Sequence, residues 1–259
     1  MRNPTRASVS GELRRLARPS GAFDAARYFR GDHGLRFYNV GTNAVRALAR
    51  AIYVSNRERW TVEDAVRFAE ALVRDPYLET KAIGIEVVAR YRQAFRPRLL
   101  PAWKRWLSGN HAANWATTDA ICGTLIGPLL VDYPELVPLM PRWATHRNSW
   151  VRRASAVSLI PSIRQGRALD VAYDVAQTLQ PDRGDLIQKA SGWMLREAGK
   201  QDPARLERYL RAEGDAVPRT TLRYAIERFP APKRRALLTS TRHGRDARAR
   251  ARQPERSWV

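Results

Sequence analysis

The sequence predicts an all-α protein built from stacked helical repeats. Apolar residues recur at helical spacing along most of the chain. Strand signals are nearly absent, with no sustained alternation and no Asn-Gly or Asp-Gly hairpin turn. A short polar–Ala pattern returns every 34–38 residues. With 259 residues, 44% of them hydrophobic and eight of them Trp, the chain can bury a sizeable core.

Taken in order, the periodic segments predict helices over 23–30, 42–55, 61–74, 78–94, 96–108 and 112–130. They continue over 134–145, 148–163, 167–180, 185–200, 203–212 and 218–229. Thr42, Thr61, Pro134, Ser149, Asp185, Pro203 and Pro218 stand at or near the starts, where a capping oxygen or a preset φ favours entry into a helix. The connections are short, so successive helices are expected to pack antiparallel. Residues 1–22 read as a basic N-terminal segment, either a short helix or unstructured. Residues 23–230 read as one repeat domain, and 231–259 as a mobile basic tail.

Stacking the segments reveals a register. Lys81-Ala82, Asp119-Ala120, Arg153-Ala154 and Lys189-Ala190 each place a polar residue before an Ala inside an apolar helix. Their polar positions are separated by 38, 34 and 36 residues, and a fifth, weaker copy runs from Arg223 to Ala225. Two helices per period of this length is the mark of a HEAT-like α-solenoid. Equivalent positions in stacked repeats line one surface, so Lys81, Asp119, Arg153 and Lys189 are expected in one concave basic groove. Three are cations, and Asp119 is the exception.

The net charge of +21 points to a polyanionic partner. The two terminal segments account for about half of it, leaving +10 on residues 23–230. Arg outnumbers Lys 41 to 5, a bias that exchanges one cation for another without creating net charge. No apolar run approaches the ~20 residues of a membrane span. Met1 to Pro19 holds no hydrophobic stretch of a secretory signal, and the lone Cys122 fits a reducing cytoplasm. The four His and Cys122 show no ligand spacing, and no phosphate loop or dinucleotide fingerprint occurs, so neither metal nor cofactor is expected.

One constellation could do chemistry. Trp115 and Asp119 are four apart and share a helix face; Lys189 and Trp193 have the same spacing, and Trp150 lies one turn before Arg153. A carboxylate among indole rings and cations suits bond cleavage through an oxocarbenium-like state at a sugar carbon. Indole faces would hold cationic sugar or base, and basic residues would clamp phosphates without reading sequence. Taken singly, each has a plainer reading: Asp119 as an ion-pair partner, Arg153 as an interhelical cation, and Trp103, Trp106 and Trp143 as core. Lys81 and Lys189 could also form Schiff bases, although lysines on a basic face more often meet phosphate.

These residues resemble the AlkD-type DNA alkylation-repair glycosylases, HEAT-like repeat proteins. Asn114-Trp115-Ala116-Thr117-Thr118-Asp119 is similar to the family's Trp and Asp motif at Trp115 and Asp119. Asn148 to Ala154 is similar to its Trp and Arg segment, with Arg153 in the place of a DNA-contacting arginine. Ile187 to Glu197 is the closest match and holds the second tryptophan, Trp193. Ala26-Arg27-Tyr28 resembles the start of the N-terminal segment, where a tyrosine lines the lesion site. The chain departs from the pattern at Asn114, Thr117 and Gly41, where the family often carries an aromatic residue, an Asp and a polar side chain.

The resemblance spans about residues 22–230 and implies a monofunctional glycosylase that releases N3- or N7-alkylpurines such as 3-methyladenine and 7-methylguanine. It implies Asp119 as the catalytic carboxylate and Trp115, Trp193 and Tyr28 as lesion contacts. Arg153, Lys81, Lys189 and Arg223 are the expected phosphate contacts. It further implies action without pulling the base into a pocket, which would admit bulky adducts. The expected partner is double-stranded DNA containing alkylated purines, with no membrane, met by a monomer in the cytoplasm. The alternatives are a non-catalytic paralogue that binds bent or structured DNA and a scaffold for an acidic protein.

Overall fold

The computed structural model describes residues 3–18, 29 and 34–241. Among these residues the fold is all-α, with one isolated parallel bridge between Arg36 and Tyr77 and no β-strand. The expected helix 23–30 falls outside the described residues except for Phe29, and Tyr28 falls outside them too.

Contacts divide the chain into two compact units, Met1–Leu136 and Val137–Val259, where the sequence suggested one repeat domain. The first holds α1 (Arg6–Leu16), α2 (Thr42–Asn56), α3 (Val62–Val73), α4 (Leu78–Ala89), α5 (Leu100–Ser108), α6 (Trp115–Ile121) and α7 (Gly127–Asp132). Helix α4 is its hub, packed against α2, α3 and α6. Gly84 permits the α3–α4 approach, since a Cβ there would lie 3.0 Å from the Leu72 Cβ and 3.2 Å from Ala69 backbone atoms. Trp103 and Trp106 of α5 are fully buried, and Phe95 meets the Trp103 ring edge-on at 5.0 Å.

The second unit holds α8 (Met140–Ala144), α9 (Ser149–Val157), α10 (Ile160–Ile163), α11 (Leu169–Leu179), α12 (Asp185–Gln201), α13 (Pro203–Glu213), α14 (Arg219–Ala225) and α15 (Ala231–Ser240). Helices α8 and α11 back α9 and α12, while α9, α12 and α14 lie side by side. Ala154 and Ala190 are fully buried, as expected of small residues where helices approach. Gly192 carries the logic further: a Cβ would come within 2.6 Å of the Thr221 carbonyl oxygen and 2.5 Å of the Tyr224 Cβ.

Three departures from the expected elements have local causes. Pro134, Pro138 and Pro141 each remove a backbone donor, so 134–145 forms a 3₁₀ run, Pro134–Leu139, followed by the short α8. Pro161 likewise splits 148–163 into α9 and α10. The expected tail contains a helix within the described residues. Residues 231–240 form α15, which packs on α13, buries Leu237 and pairs Lys233 with Glu207 at 2.5 Å.

Candidate active site

The carboxylate site is built by the cap of α6. Asn114 accepts the Thr117 amide at 2.8 Å through Oδ1 and donates from Nδ2 to Thr117 Oγ1 at 2.9 Å, with both residues buried. Thr118 Oγ1 donates to the Ala112 carbonyl at 2.9 Å. These bonds fix the helix start, so Trp115 on the first turn projects outward, 36% exposed, and Asp119 follows one turn later, half-buried. Asn114 and Thr117 are two of the departures from the resembled motif, and together they make this cap.

Beyond Asp119 the helix widens into a π-turn, Cys122–Ile126, where the Gly127 amide reaches back to the Cys122 carbonyl. Pro128 explains the turn, because it has no N–H for the carbonyl four residues earlier and its ring crowds that position. Thr124 Oγ1 donates to the Ala120 carbonyl at 2.7 Å. The carboxylate therefore sits between a buried cap and a widened turn.

Phe29 stacks on Trp115 with ring centroids 5.2 Å apart and planes 17° from parallel, and it also meets Phe37 at 5.4 Å. Next to this pair opens a cleft of about 400 Å³ whose lining includes Val45 and Arg46 of α2, Glu79, Ala82 and Glu86 of α4, and Trp115 of α6. Gly41, another departure from the pattern, lies on its wall. Glu79 Oε1 accepts the amides of Tyr38 and Val40 at 3.1 and 3.2 Å, strapping the extended segment before α2 onto α4. Phe29 and Glu79 were not read from the sequence. The signal for Phe29 is its position beside Tyr28; Glu79 breaks no periodicity and gives none.

In the second unit Asn148 caps α9 by accepting the Trp150 amide at 2.8 Å, which sets Trp150 half-buried and Arg153 one turn on. The Arg153 side chain is buried and donates to the Leu186 carbonyl, tying α9 to the first turn of α12. On α12, Lys189 pairs with Asp185 at 2.7 Å and remains partly exposed, and Trp193 is half-buried one turn later. Arg223 on the adjacent α14 is exposed. Thus the second unit carries Arg153, Lys189, Trp193 and Arg223 on the neighbouring helices α9, α12 and α14.

Lys81 corrects the expected phosphate contact. Its Nζ donates to the carbonyls of Val73 at 2.6 Å and His111 at 2.8 Å, and only 7% of the residue is exposed. Burial lowers its pKa to about 8, although the nearby Asp75 opposes the shift. The ammonium braces the α3 C-terminus and the loop before α6 instead of facing outward. Trp103, Trp106 and Trp143 are core, as read.

A family model described as "DNA alkylation repair enzyme" matches residues 9–229. The chain belongs to this family. Among solved structures, a protein titled "Predicted DNA alkylation repair enzyme from Enterococcus faecalis" is similar at a TM-score of 0.73 and 18% identity, covering 83% of this chain and 98% of that one. At that identity the likeness shows the fold. A comparison with curated proteins finds no match. The family match spans the α6 cap, Asp119 and the α12 segment together, so membership does not rest on any single motif. Among the described residues no group of three or more His, Cys, Asp or Glu could hold a metal ion, and no single helix is long and apolar enough to cross a membrane.

Proposed function

We propose that this family member is a DNA glycosylase that hydrolyses the N-glycosidic bond of cationic N3- or N7-alkylated purines in duplex DNA. The observation that supports it most is a half-buried carboxylate, Asp119, one helical turn from an exposed Trp115 backed by Phe29, in a chain of net charge +21. Alkylation leaves the purine positively charged, so its bond to C1′ is weakened and the base departs neutral, taking the bonding electron pair. The sugar then resembles an oxocarbenium ion, which the Asp119 carboxylate stabilises electrostatically. Water adds to C1′ and gives up a proton to the Asp119 carboxylate, and an abasic site remains.

Trp115 presents a π face to the cationic lesion, worth about 0.5–2 kcal/mol. Lys189 and Arg223, with side chains reaching solvent, engage phosphates, and Arg153 of α9 supports them from its buried seat against the Leu186 carbonyl of α12. Phosphate contacts position the duplex and leave sequence unread. The test is chromatographic detection of 3-methyladenine and 7-methylguanine released from methylated duplex DNA. Release by the wild-type chain, lowered by about 2- to 30-fold in Trp115→Ala, is the expected result. No release from any N3- or N7-alkylated duplex would reduce the chain to a DNA-binding paralogue.

A further inference from the structure

The cleft beside Trp115 contains a polar group that the fold does not satisfy. Glu79 is 94% buried; its Oε1 holds two amides, but its Oε2 is buried without a hydrogen-bond partner. A buried carboxylate oxygen left unpaired is costly, and a retained one marks a place for a donor or a cation. Glu86, two turns along α4, is a second carboxylate on this wall, but it is paired with Arg46 at 3.5 Å and Arg90 at 4.0 Å. The opposite lining is aromatic, from Phe29 and Trp115, with Val45 and Ala82 supplying aliphatic surface.

This combination sorts ligands by chemistry. Phosphate offers no donor to the unpartnered Glu79 oxygen, and a metal ion would find too few converging oxygens. A flat, apolar body satisfies the rings, and a positive charge satisfies Glu79. We propose that the cleft is a binding subsite for a flat aromatic cation, and that it receives such a group when an alkylated purine carries one. The role as adduct subsite rests on the glycosylase reading; the binding itself does not.

Calorimetric titration of the full chain at pH 8 with N-methylquinolinium, and with neutral quinoline as its uncharged counterpart, separates the two questions because neither DNA nor base release is involved. Saturable binding of the cation with a Kd of ~0.1–1 mM is expected, with quinoline at least about tenfold weaker. Glu79→Gln keeps an oxygen for the Tyr38 and Val40 amides and removes the charge, so it should fold and bind the cation about tenfold more weakly. Ala82→Phe fills the cleft while keeping the Glu79 carboxylate and should abolish binding. Equal affinity for the two probes, no binding of either up to ~10 mM, or cation binding that both variants leave intact would overturn the proposal.

Discussion

At the residue scale, Asp119 and Lys81, two of the four charged groups that the repeat register singles out, have opposite fates. Asp119 stays at the surface of its helix, half-buried, while Lys81 turns inward onto two backbone carbonyls. Lys81→Met keeps the apolar stem and deletes the donor, leaving the Val73 and His111 carbonyls unpaired. It should destabilise the fold by about 1–3 kcal/mol at neutral pH while leaving DNA affinity nearly unchanged. Burial holds the Lys81 pKa at about 8 against 10.5 for a free lysine, so between those values the folded state binds fewer protons than the unfolded one. Stability due to Lys81 therefore rises with pH there, and denaturant titrations should show the gap between wild type and Lys81→Met widening from about pH 8 to 10. A spacing rule finds which residues are equivalent, but it cannot tell a solvent-facing lysine from a buried one. Arg153, buried against the Leu186 carbonyl, illustrates the same limit.

At the element scale, the cap of α6 links sequence to site most closely. Asn114 and Thr117 are joined by two hydrogen bonds in a buried setting, and the helix they start carries both Trp115 and Asp119. Asn114→Ala should cost about 1–2 kcal/mol of stability and lower base release by more than it lowers DNA affinity, since the carboxylate loses its fixed position. Thermal melts and base-release assays on the same variant check both halves. An unchanged melting temperature would mean that the cap does not hold α6. Helix positions were legible from periodicity through most of the chain, and the Trp–Asp pair was legible from its spacing. The breaks at Pro138 and Pro161 were less so, because apolar periodicity runs straight through them. The π-turn at Cys122–Ile126 has its cause in Pro128, yet nothing in the pattern told a widened turn from a kink. The Glu79 cleft was not legible at all, because it is assembled from α2, α4, α6, the residues before α2 and Phe29.

For the whole molecule, the excess of positive charge governs how it meets its partner. Many arginines are engaged in ion pairs within the fold, among them Arg152 with Asp182 at 2.6 Å and Arg164 with the buried Glu197 at 3.1 Å. Such a clamp raises stability without adding to the field felt by DNA. Burial alone would push the Glu197 carboxyl up, but hydrogen bonds from Lys200 and Arg164 outweigh it and leave its pKa lowered. Apparent DNA affinity should fall steeply with salt, by orders of magnitude between about 50 and 200 mM if six or more phosphates are engaged. Because 231–240 forms a packed helix, the informative truncation removes only 242–259, which carry six basic and two acidic residues. That truncation should flatten the salt slope while base release persists, as fluorescence anisotropy across a salt series would show. A slope unchanged by it would confine the DNA contacts to the remaining chain.

The most direct measurement pairs DNA affinity with single-turnover base release for Asp119→Asn on an N7-methylguanine duplex. Asn keeps the shape and one acceptor oxygen but removes the negative charge that an oxocarbenium-like state would feel. Affinity should be equal or slightly better, because a carboxylate repels phosphate, while release should fall by about 10²-fold or more. Wild-type turnover retained by Asp119→Asn would contradict the assignment of Asp119 as the catalytic carboxylate.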